Sequence, residues 1–473
     1  MTAQTILPAN SAVSGGYEVA NSVRMNKGSS DSLSKALSAG SQRKATYSFW
    51  IKFCDLAASE SSIYALTQWT DSNNNFLFRF SDSGNLDIEI LTAGGYAGRK
   101  VSNRKFRDFS AWYNFVIIVD TTDGTAADRL KIFVNGVRET SFSASTDPSS
   151  NADLKMNVNN QTLYIGQTNG GAYMDAYFAE VVWLDGTAAA ATDFGEFDDS
   201  GIWKPIDVSG LTAGTNGFYL DFKASGNLGN DVFGGTDLTE NNLTAIDQST
   251  DTCTNNFATL NPLNNYWSQA TFSEGNSVYT SNNTTDYYGV AQSTIGVSSG
   301  KWYFEAKNST NTDQGILGIT SRNKTSRPSW LGSTTQAYGY YSTGGTIRSN
   351  SQDTSYGASY TANDIIGIYL DLDNNKMYVS DNGALQNSGT GHSITAAAST
   401  DSGFYHLAVG DNSDNTQVWQ CNFGGTSGFT VSSGNTDVNG YGNFEYDPSA
   451  GTFDGVSKDF LALCTANLSE VLG

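Results

Sequence analysis

The sequence predicts an all-β protein made of two tandem antiparallel β-sandwiches joined by an ordered connector. Aromatic residues form 12% of the chain, with 24 Tyr and 25 Phe, and these residues favour pleated, half-buried sheets over helices. Only 15% of residues are charged, against about 25% in an average soluble domain. Apolar and polar residues alternate at many places along the chain, which is the period of a half-buried strand.

Strand signals begin early in the first half. Tyr47, Phe49, Ile51 and Phe53 share one face through this alternation. The nearly continuous apolar run 112–119 is typical of a central strand buried on both faces. Further strands are predicted over 162–166, 177–184 and 217–222, and a short helix over 188–197.

The clearest hairpin is centred on Asn135-Gly136, between the apolar run 130–134 and Val137. Asn-Gly readily takes the positive φ angles of a type I′ turn, which matches the twist of a two-residue hairpin. In the second half, strands are predicted over 301–306, 315–320, 365–370, 376–379 and 404–409, and a helix over 459–471.

These signals divide the chain into five parts. The segment 226–268 is rich in Gly, Asn, Asp and Thr with little periodicity, which indicates a connector. The arm at the N-terminus lacks the periodicity to fold alone, so we expect it to order only on docking. The predicted parts are an N-terminal arm (1–15), a first sandwich (16–225), the connector (226–268), a second sandwich (269–430) and a C-terminal extension (431–473).

The charge restricts the partners. Acidic residues outnumber basic ones by 47 to 26, for a net charge of −21, and such a field repels nucleic acid and anionic membrane surfaces. The sequence shows neither a signal peptide nor an apolar run approaching the ~20 residues of a membrane span. We therefore expect no nucleic-acid partner and no membrane insertion.

The cysteines do not form a recognisable framework. Cys54, Cys253, Cys421 and Cys464 are too scattered for a disulfide pattern or a zinc site. Cys421 alternates with Trp419 and Phe423, so we expect it to face a core. No metal or other cofactor is predicted.

Two stretches resemble known domains. The runs 48–52, 130–137 and 177–186 resemble the laminin-G or concanavalin A-like jelly roll. The second half resembles the SPRY domain through runs in the order that this fold requires: Gly300–Glu305, Gly315–Ile319, Tyr338–Tyr340, Asp364–Asp373, Asn382-Gly383 and Asn422–Gly424.

The whole arrangement resembles structural proteins of tailed bacteriophages that carry this pair of domains. The runs that carry this likeness are Asn21–Asp31, Asp193–Asp198, Thr215–Phe222, Asn255–Leu263, Gly440–Gly442 and Leu463–Leu468. The resemblance implies a virion appendage such as a tail fibre, head fibre or decoration, used for host contact alongside other virion proteins. Fibres of this kind are commonly homo-oligomers, and trimers in particular.

Catalytic and metal-binding patterns are weak. Jelly-roll glycosidases carry Glu-x-Asp-x-Glu on a strand so that two carboxylates flank the scissile bond, but here Asn85 precedes Asp87 and Glu89, and an amide cannot act as the nucleophile. Asp371 and Asp373 resemble the start of a calcium loop, although a hairpin turn at 374–375 explains them better. His392 and His406 lack a nearby nucleophile, and no catalytic residue is predicted.

The stretch 330–341 contains several aromatics among small polar residues, a composition that suits stacking on a sugar ring. Tyr338 and Tyr340 are assigned to the core by alternation, which leaves Trp330 and Tyr341 as candidate carbohydrate-binding residues. The leading interpretation is a non-enzymatic virion surface protein that binds host-surface polysaccharide or protein. Two alternatives are a carbohydrate-binding or adhesive module of a bacterial surface protein, and a polysaccharide hydrolase with unrecognised carboxylates.

Overall fold

A computed structural model describes residues 16–55, 63–264, 270–282, 289–310, 314–321, 330–412 and 415–472. The predicted N-terminal arm (1–15) lies outside these ranges. Contacts divide the described chain into two units, 16–254 and 255–472. Each is built almost wholly of antiparallel strands, so the predicted all-β class is confirmed.

The first unit contains eighteen strands. They are β1 Ser22–Met25, β2 Ser32–Ala36, β3 Lys44–Phe53, β4 Ile63–Asp71, β5 Asn74–Phe80, β6 Asn85–Thr92, β7 Gly95–Lys105, β8 Trp112–Asp120, β9 Leu130–Val134, β10 Val137–Arg138, β11 Phe142–Thr146, β12 Thr162–Ile165, β13 Ala176–Asp185, β14 Gly195–Phe197, β15 Trp203–Pro205, β16 Phe218–Leu220, β17 Thr239–Asn241 and β18 Gln248–Ser249.

Most of these strands form two eight-stranded sheets that face each other. Sheet 1 has the order β10-β9-β8-β3-β13-β1-β18, with β16 also paired to β13, and sheet 2 has the order β11-β7-β6-β5-β4-β12-β2-β17. The β9–β10 hairpin turns at Asn135 and Gly136, whose φ angles are 47° and 73°. The hairpin prediction is therefore confirmed.

Alternation places the core between the sheets. Tyr47, Phe49, Ile51 and Phe53 of β3 pack inward as predicted. They meet Phe76, Phe78 and Phe80 of β5 and Leu86, Ile88 and Ile90 of β6. Burying such side chains supplies about 25 cal/mol per Å² of apolar surface, which is the main driving force for the fold.

Sheet 1 is buried on both faces. Val116 and Ile118 of β8 turn away from the core and pack in a second cluster with Phe194 and Tyr219. This explains the continuous apolar run that predicted a doubly buried strand. Among the described residues, sheet 2 has no corresponding apolar cluster on its outer face, which instead mixes buried polar side chains such as Asp87 and Glu89 with half-buried and exposed ones.

The division between the units falls inside the predicted connector. Strand β17 pairs with β2 at the edge of sheet 2, and β18 pairs with β1 at the edge of sheet 1. Residues 226–254 thus complete the first sandwich. Residues 255–264 belong to the second unit, where Ala258 donates its backbone N–H to the carbonyl of Leu463 at 2.9 Å.

The second unit contains fifteen strands and one α-helix. They are β19 Thr271–Ser273, β20 Val278–Thr280, β21 Val290–Val297, β22 Lys301–Asn308, β23 Gly315–Thr320, β24 Ala337–Tyr341, β25 Thr346–Ser349, β26 Gln352–Ser355, β27 Ile365–Asp371, β28 Lys376–Asp381, β29 Ala384–Leu385, β30 His392–Ser393, β31 Tyr405–Asp411, β32 Val418–Asn422, β33 Leu461–Ala462 and α1 Thr465–Leu472.

Two sheets again enclose a core. Sheet 3 has nine strands in the order β19-β20-β32-β22-β27-β28-β29, with β30 on β28 and β33 on β22, and sheet 4 has the order β21-β31-β23-β24-β25-β26. Tyr338, Tyr340, Trp419, Cys421 and Phe423 all point into this core, as alternation predicted. All four cysteines are buried, and none forms a disulfide within the described residues.

The C-terminal extension covers the outer face of sheet 3. Phe444, Phe453 and Phe460 form a cluster with Tyr303 and Tyr369 on that face, with ring centroids about 5 Å apart. Edge-on aromatic contacts of this kind add to the stabilisation from burial. The extension is therefore an integral layer of the second unit.

The two helix predictions have different outcomes. Residues 188–197 form a single 3-10 turn (Ala191–Asp193) followed by β14, so that helix prediction is wrong. The C-terminal helix exists but begins later, at Thr465. No helix of the described residues is long and apolar enough to cross a membrane.

Candidate functional site

Of the predicted pair, Tyr341 lies at the outer face of sheet 4, and Trp330 directly precedes Leu331, which packs on the same face. Tyr341 sits within β24 and is 8% exposed, and the guanidinium of Arg348 lies over its ring at 4.2 Å. Leu331 packs with Tyr341 in a small cluster on that face. Trp330 is half-buried. Of the two rings, Trp330 is the more accessible, because the face of Tyr341 is already occupied by Arg348.

The residues that would carry hydrolysis are held in ion pairs. Arg79 Nη2 lies 3.0 Å from Asp87 and 3.2 Å from Glu89, and Arg99 Nη2 lies 3.4 Å from Asp87. Asn85 donates its amide to the carbonyl of Ser102 at 2.8 Å. The carboxylates thus serve as acceptors for guanidinium groups, and the position of a nucleophile holds a structural amide.

These carboxylates belong to a larger array on the outer face of sheet 2, where strand register aligns side chains into three rows. The first row contains Tyr64, Arg79, Asp87 and Val101, the second contains Ser34, Tyr164, Thr67, Leu77, Glu89 and Arg99, and the third contains Ala36, Thr162, Trp69, Asn75, Leu91 and Tyr96. We call these rows the sheet 2 face.

The sheet 2 face combines aromatic rings with polar groups. Tyr64, Trp69 and Tyr164 are half-buried. The guanidinium of Arg79 lies over the ring of Tyr64 at 6.0 Å, so Trp69 and Tyr164 are the more accessible rings. Thr67 Oγ1 and Asn75 Oδ1 are buried with no hydrogen-bond partner among the described residues, so a ligand would reach these two atoms only if the side chains above them moved. A sugar can stack its apolar face on an aromatic while polar neighbours take its hydroxyls.

Family comparisons agree with the two-sandwich fold. Residues 27–192 match the model described as Laminin_G_3, concanavalin A-like lectin/glucanases superfamily. Residues 301–425 match the SPRY domain model. The chain carries a concanavalin A-like domain followed by a SPRY domain. A comparison with curated protein sequences found no match.

Solved structures with similar folds include proteins from human, Limulus polyphemus and Bacteroides ovatus. The SPRY domain of human HERC1 is 16% identical over 34% of this chain and 96% of its own, with a TM-score of 0.29. A SAP-like pentraxin from Limulus polyphemus is 12% identical over 36% and 78%, with a TM-score of 0.27. A putative carbohydrate binding protein from Bacteroides ovatus is 14% identical over 48% and 59%, with a TM-score of 0.33. At these scores, none indicates a function for this chain.

The calcium-like motif of the SPRY domain is a hairpin turn, as expected. Asp371 accepts hydrogen bonds from the backbone N–H of Asn374 at 3.0 Å and from Lys458 Nζ at 2.7 Å. Asp373 pairs with Lys301 at 2.8 Å. Cations of the protein therefore hold both carboxylates. Within the described ranges, no three His, Cys, Asp or Glu side chains gather to hold a metal ion.

The histidines of the SPRY domain occupy structural positions. His406 Nδ1 lies 2.9 Å from the carbonyl oxygen of Ser293, and burial lowers its pKa. His392 lies beside the ring of Tyr338, with centroids 5.9 Å apart, and burial lowers its pKa as well. Neutral, packed imidazoles of this kind suit a structural role.

Each domain also contains one buried glutamate that the sequence analysis did not single out. In the concanavalin A-like domain, burial raises the pKa of Glu180 to about 7, although Tyr219 donates to its carboxylate at 2.6 Å. In the SPRY domain, burial raises the pKa of Glu305 to about 7, against hydrogen bonds from Tyr303 and from backbone N–H groups. Glu305 anchors the C-terminal extension.

The aromatic residues of the sheet 2 face were not predicted from the sequence. Tyr64, Trp69 and Tyr164 come from strands far apart in the chain, and only the pairing of β12 with β4 brings the last two together. Alternation gave a usable signal at Tyr164, which lies between the core residues Leu163 and Ile165. Alternation assigns it to the outer face but does not identify its neighbours.

Proposed function

We propose that this chain is a non-enzymatic virion surface protein that binds host-surface polysaccharide or protein. In this proposal it forms part of a tail fibre, head fibre or decoration, contacts other virion proteins, and acts as a homo-oligomer such as a trimer. The likeness of runs throughout the chain to tailed-bacteriophage structural proteins supports the virion role. The concanavalin A-like and SPRY domains support a binding role.

The sheet 2 face is the observation that carries the binding proposal. It places three half-buried aromatic rings beside hydroxyl, amide and guanidinium groups on a rigid sheet. A sheet fixes such groups with little loss of conformational freedom on binding, which favours recognition of an extended glycan. Trp330 of the SPRY domain would provide a second contact.

The ion pairs on this face favour binding over hydrolysis. A glycosidase of this fold needs one carboxyl group that can donate a proton and a second that can attack or activate water. Here guanidinium groups contact both Asp87 and Glu89, and Asn85 stands at the third position. Release of reducing ends from algal or bacterial polysaccharides by the purified chain would contradict this assignment.

The virion role is tested by locating the chain in purified particles. Mass spectrometry should detect it in virions at a stoichiometry consistent with an appendage, and electron microscopy with a specific antibody should place it on the particle surface. Absence from purified virions would overturn the virion role. The binding role would then be tested separately, on the isolated protein.

A further inference from the structure

A short basic segment stands out in this acidic chain. Arg104, Lys105 and Arg107 lie within four residues at the end of β7, although the chain carries a net charge of −21. All three side chains are exposed. We call these three residues the basic segment.

The local structure holds the basic segment at the surface. Phe106, between Lys105 and Arg107, is fully buried in the core, and Phe109 anchors the following turn. The guanidinium of Arg104 lies over the ring of Phe106 at 5.1 Å. Phe106 and Phe109 fix the backbone on both sides of Arg107. The spacing of the three cations is therefore set by the fold, unlike that of charges on a flexible loop.

The cations themselves are not neutralised. Lys105 lies opposite Asn85 in the strand register, and Arg107 donates from Nε to the carbonyl of Ser83 at 3.0 Å. None of the three forms an ion pair with a carboxylate of the described residues. Elsewhere in the same domain, exposed Arg43 and Arg138 each pair with an aspartate, at 2.6 Å and 2.7 Å.

Two acidic residues adjoin the basic segment: Asp108 follows Arg107 in sequence, and Asp82 precedes Ser83, whose carbonyl accepts from Arg107. Asp108 accepts a hydrogen bond from the backbone N–H of Ser110 at 2.9 Å. Asp82 accepts from the hydroxyl of Ser83 at 3.3 Å. These hydrogen bonds leave both carboxylates charged, but among the described residues neither forms an ion pair with the basic segment. Exposed Lys27, Arg43, Arg138 and Lys223, by contrast, are each paired with an aspartate.

We propose that the basic segment is a binding site for an acidic polysaccharide, one that carries carboxylate or sulfate groups along its chain. This deepens the proposed function, since it rests on the binding role and names the charge of the glycan. Guanidinium groups match carboxylate and sulfate oxygens with paired donors. Lysine adds a point charge between them.

The surrounding charge favours a polysaccharide over other polyanions. Membrane recognition usually requires four to eight clustered basic residues, and only three are present. The net charge of −21 repels every polyanion, but it repels nucleic acid more strongly, because a duplex carries about one charge per 1.7 Å and a polyuronate only one carboxylate per sugar ring. The ring of Phe106 is buried under Arg104 and cannot stack on a base.

The test uses the full chain and an alginate-type polyuronate as the probe, with neutral dextran for comparison. Variant Arg104→Gln/Lys105→Gln/Arg107→Gln should bind the polyuronate at least about tenfold more weakly in affinity electrophoresis or calorimetry. Binding by the wild type should fall as salt rises, because the Debye length shortens. The matched control Arg43→Gln/Arg138→Gln/Lys223→Gln removes the same charge from ion-paired positions and should stay within about twofold.

Several outcomes would overturn the inference. These are no polyuronate binding by the wild type, equal losses in the two triple variants, and tighter binding to anionic vesicles or to a polynucleotide than to polyuronate. The proposed function fails on different readouts, namely absence from virions or no binding to any host-surface component. A wild type that binds host cells but not polyuronate would therefore reject this site alone.

Discussion

The backbone N–H of Glu445 donates a hydrogen bond to the carboxylate of Glu305 at 2.7 Å. This contact joins residues 140 positions apart and ties the C-terminal extension to β22 of the SPRY domain. Glu305 also accepts from the backbone N–H of Tyr446 and from the amide of Asn422. One fully buried carboxylate thus holds together a strand, the end of another strand and the segment that covers them.

Glu305→Gln should loosen this anchor. The substitution places an N–H donor where one carboxylate oxygen now accepts from a backbone donor, and a mismatched buried polar contact costs about 1–3 kcal/mol. Hydrogen exchange should accelerate in residues 432–446 more than in the core strands β23 and β31. Uniform exchange rates in the variant and the wild type would show that the aromatic cluster alone holds the extension.

The same residue predicts a pH dependence. The pKa of Glu305 is about 7 in the folded chain, above its ordinary value of about 4.3. The folded state therefore binds this proton more tightly than the unfolded state. Its contribution to stability is present at low pH and is lost as pH rises through about 7. The free energy of unfolding of the SPRY domain should fall by on the order of 2 kcal/mol between about pH 5 and pH 8, and this fall should shrink in Glu305→Gln.

Replacing the rings of the sheet 2 face should weaken glycan binding. Trp69→Ala with Tyr164→Ala removes two stacking surfaces, each contributing on the order of 1 kcal/mol, so binding to host cells or glycan arrays should fall at least about tenfold. Phe197→Ala is a matched control, because Phe197 is a half-exposed aromatic of the same domain that lies outside this face. Unchanged binding by a stably folded double variant would show that the contact surface lies elsewhere.

The SPRY-domain site is tested by Trp330→Ala. Its half-buried ring should contribute one stacking contact, and its loss should weaken host binding by a few-fold. Tyr341→Phe should have little effect, since the ring on which Arg348 stacks is kept. A larger loss from Tyr341→Phe than from Trp330→Ala would show that the Tyr341 hydroxyl, and not Trp330, makes the contact.

Removing one partner of a buried ion pair should strongly destabilise the first sandwich. Lys52 and Asp251 are 1% and 0% exposed, with the charged atoms 2.6 Å apart, and Trp112 Nε1 also donates to Asp251. Asp251→Ala removes this carboxylate from a buried cation, which typically costs about 3–5 kcal/mol. The exposed pair Arg43–Asp153 provides the control, because Asp153→Ala should cost less than about 1 kcal/mol. Thermal unfolding compares the two variants, and similar losses would contradict the prediction.

The sequence was most informative where local rules decide the structure. Alternation placed Tyr47 and Phe49 in one core and Cys421 in the other, and turn chemistry located the hairpin at Asn135. The bounds of β23, Gly315–Thr320, match the prediction to the residue. These features depend on neighbours within a few positions, which is the range over which a single sequence carries a readable signal.

Features that depend on distant pairing were not predictable. Strands β17 and β18 have three and two residues, too short for a visible period, and they exist because β2 and β1 lie beside them. The sheet 2 face has the same origin, since Trp69 and Thr162 become neighbours only through strand register. The burial of Tyr341 was missed because β24 is covered on both faces, which alternation alone does not reveal.

The pairing of β17 with β2 and of β18 with β1 also affects where the gene for this protein can recombine without disrupting the fold. A gene fragment that ended at residue 225 would encode a sandwich whose β1 and β2 lacked their outer neighbours, and exposed edges of this kind invite pairing with other chains. A fragment that ended at residue 254 would carry its own edge strands with it. Recombination between related genomes should therefore leave crossovers near Thr254 and few between 226 and 250. The whole first domain, with its ligand specificity, would then be transferred as one folded unit.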